Sequence, residues 1–139
     1  MKKETNFSFY IEFNSCIITT YDSRTGKYIR DYQGIKPTQE VITMLSSNQI
    51  DKILAEIREY QYLSFPDQFG NEKSNFSPPG YVLLTVYNGT QQKSVKMYSG
   101  VSRLFSNDLD KFWKLYHDID EIIENQKEIK AVPRLAGCG

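Results

Sequence analysis

Tyr81-Val82-Leu83-Leu84-Thr85-Val86-Tyr87-Asn88-Gly89-Thr90-Gln91-Gln92-Lys93-Ser94-Val95-Lys96-Met97-Tyr98 decides the fold class. Two runs rich in strand-forming residues flank Asn-Gly, the dipeptide that most readily closes a tight turn between antiparallel strands. Side chains alternate along a strand, so Val82, Leu84 and Val86 share one face, and Val95 and Met97 can line the same side. Tyr81, Leu83, Thr85 and Tyr87 then take the opposite face, together with Lys96 and Tyr98.

Upstream, Phe7, Phe9, Ile11 and Phe13 alternate with Ser8, Tyr10 and Glu12, the period of a half-buried strand. Cys16 to Tyr21 is a second strand-like run. It meets a turn at Asp22-Ser23-Arg24-Thr25-Gly26 and resumes as Lys27 to Tyr32, which predicts another hairpin. In that hairpin Tyr28, Arg30 and Tyr32 share a face, but alternation alone does not say which. Gly34 and Pro37 interrupt the pattern, and Glu40 to Leu45 suggests a short fourth strand.

Ser46 followed three residues later by Gln49 predicts a capping box, in which each side chain satisfies the other residue's backbone N–H. Ile50, Ile53, Leu54 and Ile57 continue at i, i+3, i+4 and i+7, so a helix is expected over about 47–61. A second helix is expected to open at Ser106-Asn107-Asp108. Leu109, Phe112, Trp113, Tyr116, Ile119, Ile122 and Ile123 form its apolar stripe. Between the first helix and Tyr81, residues 64–80 contain Pro66, Gly70, Pro78, Pro79 and Gly80 and show little periodicity. Such a stretch reads as either a functional loop or a mobile connection.

The order is therefore β-β-β-(β)-α-β-β-α. It implies a single α+β domain over 1–139, with an antiparallel sheet of about five to six strands and two helices packed on one face. An irregular tail is expected from about residue 131.

Charge and motif exclude several functions. The chain has 139 residues, with 17 basic and 17 acidic side chains. A neutral chain without an RNP-type motif does not fit a nucleic-acid binder, which carries a basic excess. No apolar run approaches the ~18 residues of a spanning helix, so no membrane span is expected. Met1-Lys2-Lys3-Glu4 leads into Asn6-Phe7-Ser8-Phe9-Tyr10, without the uniform apolar core of a signal peptide. As written, the chain is expected to be cytoplasmic, or exported or lipid-anchored if a signal has been trimmed.

Catalytic chemistry has few places to reside. His117 is the single histidine, in a helical column with Asp110, Lys114, Glu121 and Glu124 that reads as a solvated face. A nucleophilic mechanism would have to pair it with Cys16. Asp118, Asp120, Glu121 and Glu124 point around the helix without converging. The turn at Asp22 lacks the ligand pattern of a calcium loop, and two distant cysteines give no zinc spacing. Whether Cys16 and Cys138 are free or bridged is not readable. No catalytic group, cofactor or metal is assigned.

Ten tyrosines are the compositional oddity. A sheet face bearing Tyr with Arg and Lys is suited to protein recognition, because Tyr and Arg dominate interface hot spots. Strands also favour Tyr for its own sake. The candidate protein-binding residues are Tyr28, Arg30, Tyr32, Tyr87, Lys96 and Tyr98, with the 64–80 loop as a second surface and another protein as the partner. The alternative is a small-ligand or anion pocket near the start of the second helix, using Arg103 and Asp108 with His117.

Leu45-Ser46-Ser47-Asn48-Gln49-Ile50 with Leu63-Ser64-Phe65-Pro66-Asp67, Tyr81 to Val86 with Asn88-Gly89 and Lys93, and Ile122-Ile123 with Glu128-Ile129-Lys130 and Pro133 carry a resemblance. Over about residues 15–137 the chain resembles small bacterial hypothetical proteins, many of them predicted lipoproteins, that contain a domain of unknown function. The resemblance implies no catalytic residues. The Pro133-Arg134-Leu135-Ala136-Gly137-Cys138-Gly139 ending departs from the Pro-x-x-Gly-Gly-Tyr-like tail of such proteins.

Overall fold

The computed structural model describes residues 6–70, 80–99 and 107–134. Four strands open the chain: β1 (Phe7–Asn14), β2 (Ile18–Asp22), β3 (Lys27–Asp31) and β4 (Gln39–Ile42). Helix α1 (Ser47–Glu59) follows, then a 3-10 turn over Tyr62–Ser64 and the two-residue strand β5 (Gln68–Phe69). The hairpin of β6 (Tyr81–Asn88) and β7 (Gln91–Tyr98) leads to α2 (Asn107–Glu124) and the single-turn α3 (Lys127–Lys130).

The strands make one sheet in the order β4-β3-β2-β1-β6-β7-β5. Every neighbour is antiparallel except β5, which runs parallel to β7 through Gln68↔Lys96 and Phe69↔Met97. The fold is thus α+β, but the sheet is mixed and seven-stranded among the described residues, not a purely antiparallel sheet of five or six. The added strand lies inside the 64–80 stretch. At two residues it is too short for alternation to register; Phe69 within it and Phe65 before it are buried in the core. Residues 71–79 of that stretch lie outside the described residues.

The centre of the sheet is the pairing of β1 with β6, from Phe7↔Asn88 to Asn14↔Tyr81. This register puts Phe9 beside Val86 and Ile11 beside Leu84, all buried, so the alternating apolar sets of distant segments meet on one face. Gly80 permits the entry to β6, because a Cβ there would sit 2.3 Å from the Asn14 carbonyl oxygen. The β6–β7 hairpin closes one residue later than the Asn-Gly reading. Asn88 pairs with Gln91, and Gly89, with φ +65°, takes the first of two loop positions.

Both hydrogen bonds of the capping box form: Ser46 Oγ accepts from the Gln49 N–H at 3.1 Å, and Gln49 Oε1 accepts from the Ser46 N–H at 2.9 Å. Ile53, Leu54 and Ile57 of α1 and Leu109, Phe112, Leu115, Tyr116, Ile119 and Ile123 of α2 are buried. Both helices cover the face that carries Phe9, Ile11, Leu84 and Val95. Trp113 and Ile122, read as stripe residues, are only half-buried, and Leu115 replaces them in the core. A third helix was not expected. It buries Ile129 and leads to buried Val132, so the segment read as an irregular tail packs closely as far as Val132.

Cys16 is disulfide-bonded; the chain's other cysteine, Cys138, lies outside the described residues. Among the described residues no helix is long and apolar enough to cross a membrane. The second face of the sheet is left open by the helices.

Candidate functional surface

Register and alternation place Tyr10, Glu12 and Asn14 of β1 on the open face, with Tyr81, Leu83, Thr85 and Tyr87 of β6 and Ser94, Lys96 and Tyr98 of β7. Glu12 organises one end. It accepts from Tyr10 Oη at 2.9 Å on Oε1, and from Tyr81 Oη at 2.7 Å and Asn14 Nδ2 at 3.1 Å on Oε2. Partial burial, reinforced by the bond to Glu12, pushes the Tyr81 phenol up to about 12. The Tyr10 phenol rises for the same two causes, burial first.

Lys96 occupies the middle. Its ammonium sits 4.3 Å from the centre of the Tyr81 ring and 5.6 Å from that of Tyr98, and those two rings meet edge to face at 5.9 Å. Lys96 makes no ion pair among the described residues. Arg24, by contrast, lies 4.4 Å over the Tyr87 ring while bridging Asp22 at 3.0 Å. Thr85 and Ser94 share a hydroxyl–hydroxyl bond of 2.8 Å directly across the hairpin. Tyr10, Tyr81, Leu83, Tyr87, Lys96 and Tyr98 are all partly exposed.

The structure separates the six candidate residues into two groups. Tyr87, Lys96 and Tyr98 lie together on the open face. Tyr28, Arg30 and Tyr32 face the helices and are buried, at 1%, 4% and 0% exposure. Their polar atoms are used inside the protein. Arg30 Nη1 donates to the Val132 carbonyl at 3.3 Å and the Pro133 carbonyl at 3.0 Å. Its Nη2 donates to Tyr28 Oη and to Glu124 Oε1, and Tyr32 Oη donates to the Pro133 carbonyl. The open face therefore does not include them. Tyr10 and Glu12 are added to it instead: Tyr10 stands opposite the apolar set of β1, a signal present in the alternation but not interpretable until β6 is known to lie beside β1.

The second surface and the alternative pocket are described only in part. Residues 71–79 and 100–106 lie outside the described residues, and Arg103 with them. Asp108 sits half-buried in the first turn of α2, and His117 is exposed with its ring edge-on to Trp113 at 5.9 Å. Because Cys16 is in a disulfide, it offers no thiolate for His117 to activate. Among the described residues no group of three His, Cys, Asp or Glu side chains is placed to hold a metal ion. Glu124 is not part of a solvated column. It turns toward the sheet and receives Tyr28 Oη at 2.8 Å.

No protein-family model matches the chain, and no curated protein matches it.

Proposed function

We propose that this protein is a non-catalytic binding module that seats a protein partner on the open face of its sheet, with an acidic side chain of the partner on Lys96. The observation that carries the reading is the balance of charge on that face. Glu12 already accepts three hydrogen bonds from its neighbours and Arg24 is paired with Asp22. Lys96 alone is held by aromatic rings with no carboxylate. A cation already positioned between rings loses little side-chain freedom on binding, and a carboxylate is the group that complements it. Tyr81, Tyr87 and Tyr98 around it supply wide, stiff contact area with hydroxyls that can bond to a partner.

The test is site-specific photocrosslinking in lysate of the native host, with benzoylphenylalanine placed at position 87 or 98 and, as control, at exposed Lys52 on α1. The reading expects one protein crosslinked from 87 and 98 but not from 52, through a peptide containing Asp or Glu, and lost in Lys96→Glu and in the Tyr87→Ser/Tyr98→Ser double variant. Crosslinks that survive both variants, or that form equally from position 52, would overturn it.

A further inference from the structure

A groove of about 480 Å3 runs between α2 and the β1–β3 side of the sheet, on the covered face and remote from the surface just described. Its volume lies in the range of small-molecule sites. Trp113, His117, Asp120 and Glu124 line it from α2, at spacings that form one stripe of the helix. Phe13 and Arg30 line it from the sheet, and Arg134 lines it from the segment after α3.

The polar groups of this groove are unequally satisfied. Arg30 spends its guanidinium on two backbone carbonyls, Tyr28 Oη and Glu124. Arg134 Nη2 donates to Glu124 Oε1 at 2.9 Å. Glu124 thus collects donors from Tyr28, Arg30 and Arg134 on its two oxygens. Asp120, one helical turn before it, receives no hydrogen bond from any described residue. Burial first, and the Glu124 charge second, push its carboxyl up to about 6, while His117, Arg134 and Arg30 act in the opposite direction. At neutral pH the groove therefore holds an ionised, mostly buried carboxylate that no described residue donates to, beside aromatic side chains whose faces attract cations.

We propose that this groove binds a small organic cation, a primary or methylated ammonium group seated on Asp120 against the Phe13, Trp113 and Tyr116 side chains. An anion would have to compete with Glu124 for both arginines while lying next to Asp120. A cation meets the demand that Asp120 leaves open among the described residues. The proposal does not depend on the open sheet face.

Trp113 is the sole tryptophan of the chain, so its emission reports on the groove directly. The experiment titrates the full chain with n-butylammonium and with choline at pH 7.5 and constant ionic strength, with sodium butyrate, phosphate and glucose as controls. A saturable change in Trp113 emission is expected for an ammonium probe and for none of the controls. It should vanish in Asp120→Asn, a variant whose fold is checked by circular dichroism and whose melting temperature should be unchanged or higher.

Lowering the pH from 7.5 to 5 should weaken the apparent affinity roughly tenfold, as the ionised fraction of Asp120 falls. His117 and Glu124 on α2, Arg30 on β3 and Arg134 are the other charged or titratable groups facing it, with Tyr28 and Tyr116 neutral throughout. His117→Gln should keep the pH dependence, which separates Asp120 from the histidine. Equal binding by Asp120→Asn, no saturable response to either ammonium probe, or a response to butyrate, phosphate or glucose instead would each overturn the proposal.

Discussion

Arg30 Nη1 donates to the Pro133 carbonyl at 3.0 Å, joining β3 to a segment 103 residues further along the chain. A guanidinium at 4% exposure is tolerated because its charge faces Glu124 at 3.3 Å and its other N–H groups meet carbonyl and phenol oxygens. Removing the arginine takes the buried cation away from Glu124, which keeps Tyr28 and the exposed Arg134, and leaves the Val132 carbonyl without its donor, while the Pro133 carbonyl keeps Tyr32. Arg30→Ala should lower the unfolding free energy by about 3 kcal/mol in urea titrations. Arg30→Lys should recover only part, since one ammonium cannot span acceptors that a planar fork reaches. A cost below about 1 kcal/mol for the alanine variant would mean that the contact is no more than a surface ion pair.

Glu56 of α1 faces the Asp118 carboxyl of α2 across the helix pair, and Glu56 Oε1 is buried with no hydrogen-bond partner among the described residues. Burial first, then the Asp118 carboxyl, raise the Glu56 carboxyl from 4.5 to about 7. A raised folded value means that the folded state holds this proton more tightly than the unfolded chain. Its stabilising contribution is full below about pH 4.5 and is lost as pH rises past about 7. Glu56→Gln keeps a donor for Asp118 at every pH. The variant should match wild type near pH 4.5 and exceed it at pH 8 by about 1 kcal/mol, a figure reduced for solvent screening. Chemical denaturation at the two pH values checks this, and an unchanged difference between them would sink the assignment.

How much of this was readable from sequence depended on how local the signal was. The hairpin around Gly89, the capping box at Ser46 and the stripes of both helices are local patterns, and each appears within a residue or two of its expected place. The partner of β1 was not readable, because the β1–β6 register joins segments some seventy residues apart and periodicity carries no information on strand order. The same gap hid the faces of the first hairpin. Tyr28, Arg30 and Tyr32 look like surface recognition residues until the C-terminal carbonyls that they bind are placed above them. Asp120 and Glu124 were read as pointing around α2. Their i, i+4 spacing with half-buried Trp113 two turns before Asp120 was the available hint, but its meaning needed the sheet on the other side.

The capping box gives the simplest stability test. Ser46→Ala removes the oxygen that accepts the Gln49 N–H and frees the Gln49 side chain from its reciprocal bond. The loss should be about 1 kcal/mol at the midpoint of a urea titration, with an unchanged m-value. Ser46→Asp should restore most of it, since a carboxylate also caps and faces the positive end of the helix dipole. No loss in the alanine variant would show that packing of Ile53, Leu54 and Ile57 alone sets the start of α1.

Two glutamines occupy the left-handed region, Gln33 at φ 52° and Gln61 at φ 55°, and they should respond oppositely to glycine. Gln61 follows the Tyr60 C-cap of α1, where its N–H donates to the Arg58 carbonyl at 3.1 Å and its own carbonyl accepts from Ser64. All of these are backbone atoms of residue 61, and glycine keeps them while relieving a strain of about 1 kcal/mol. Gln61→Gly should therefore raise stability by about 0.5 kcal/mol, part of the relief being offset by the greater freedom of the unfolded chain. Gln33 uses its side chain: Nε2 donates to the Ser15 carbonyl at 3.0 Å and the Cys16 carbonyl at 2.9 Å, tying the β1–β2 turn to the end of β3. Gln33→Gly relieves the same strain but loses both bonds, so it should lower stability by about 1 kcal/mol. Thermal melts of the two variants side by side give the answer in their signs. A shared sign would mean that backbone conformation, not the Gln33 tether, governs both sites.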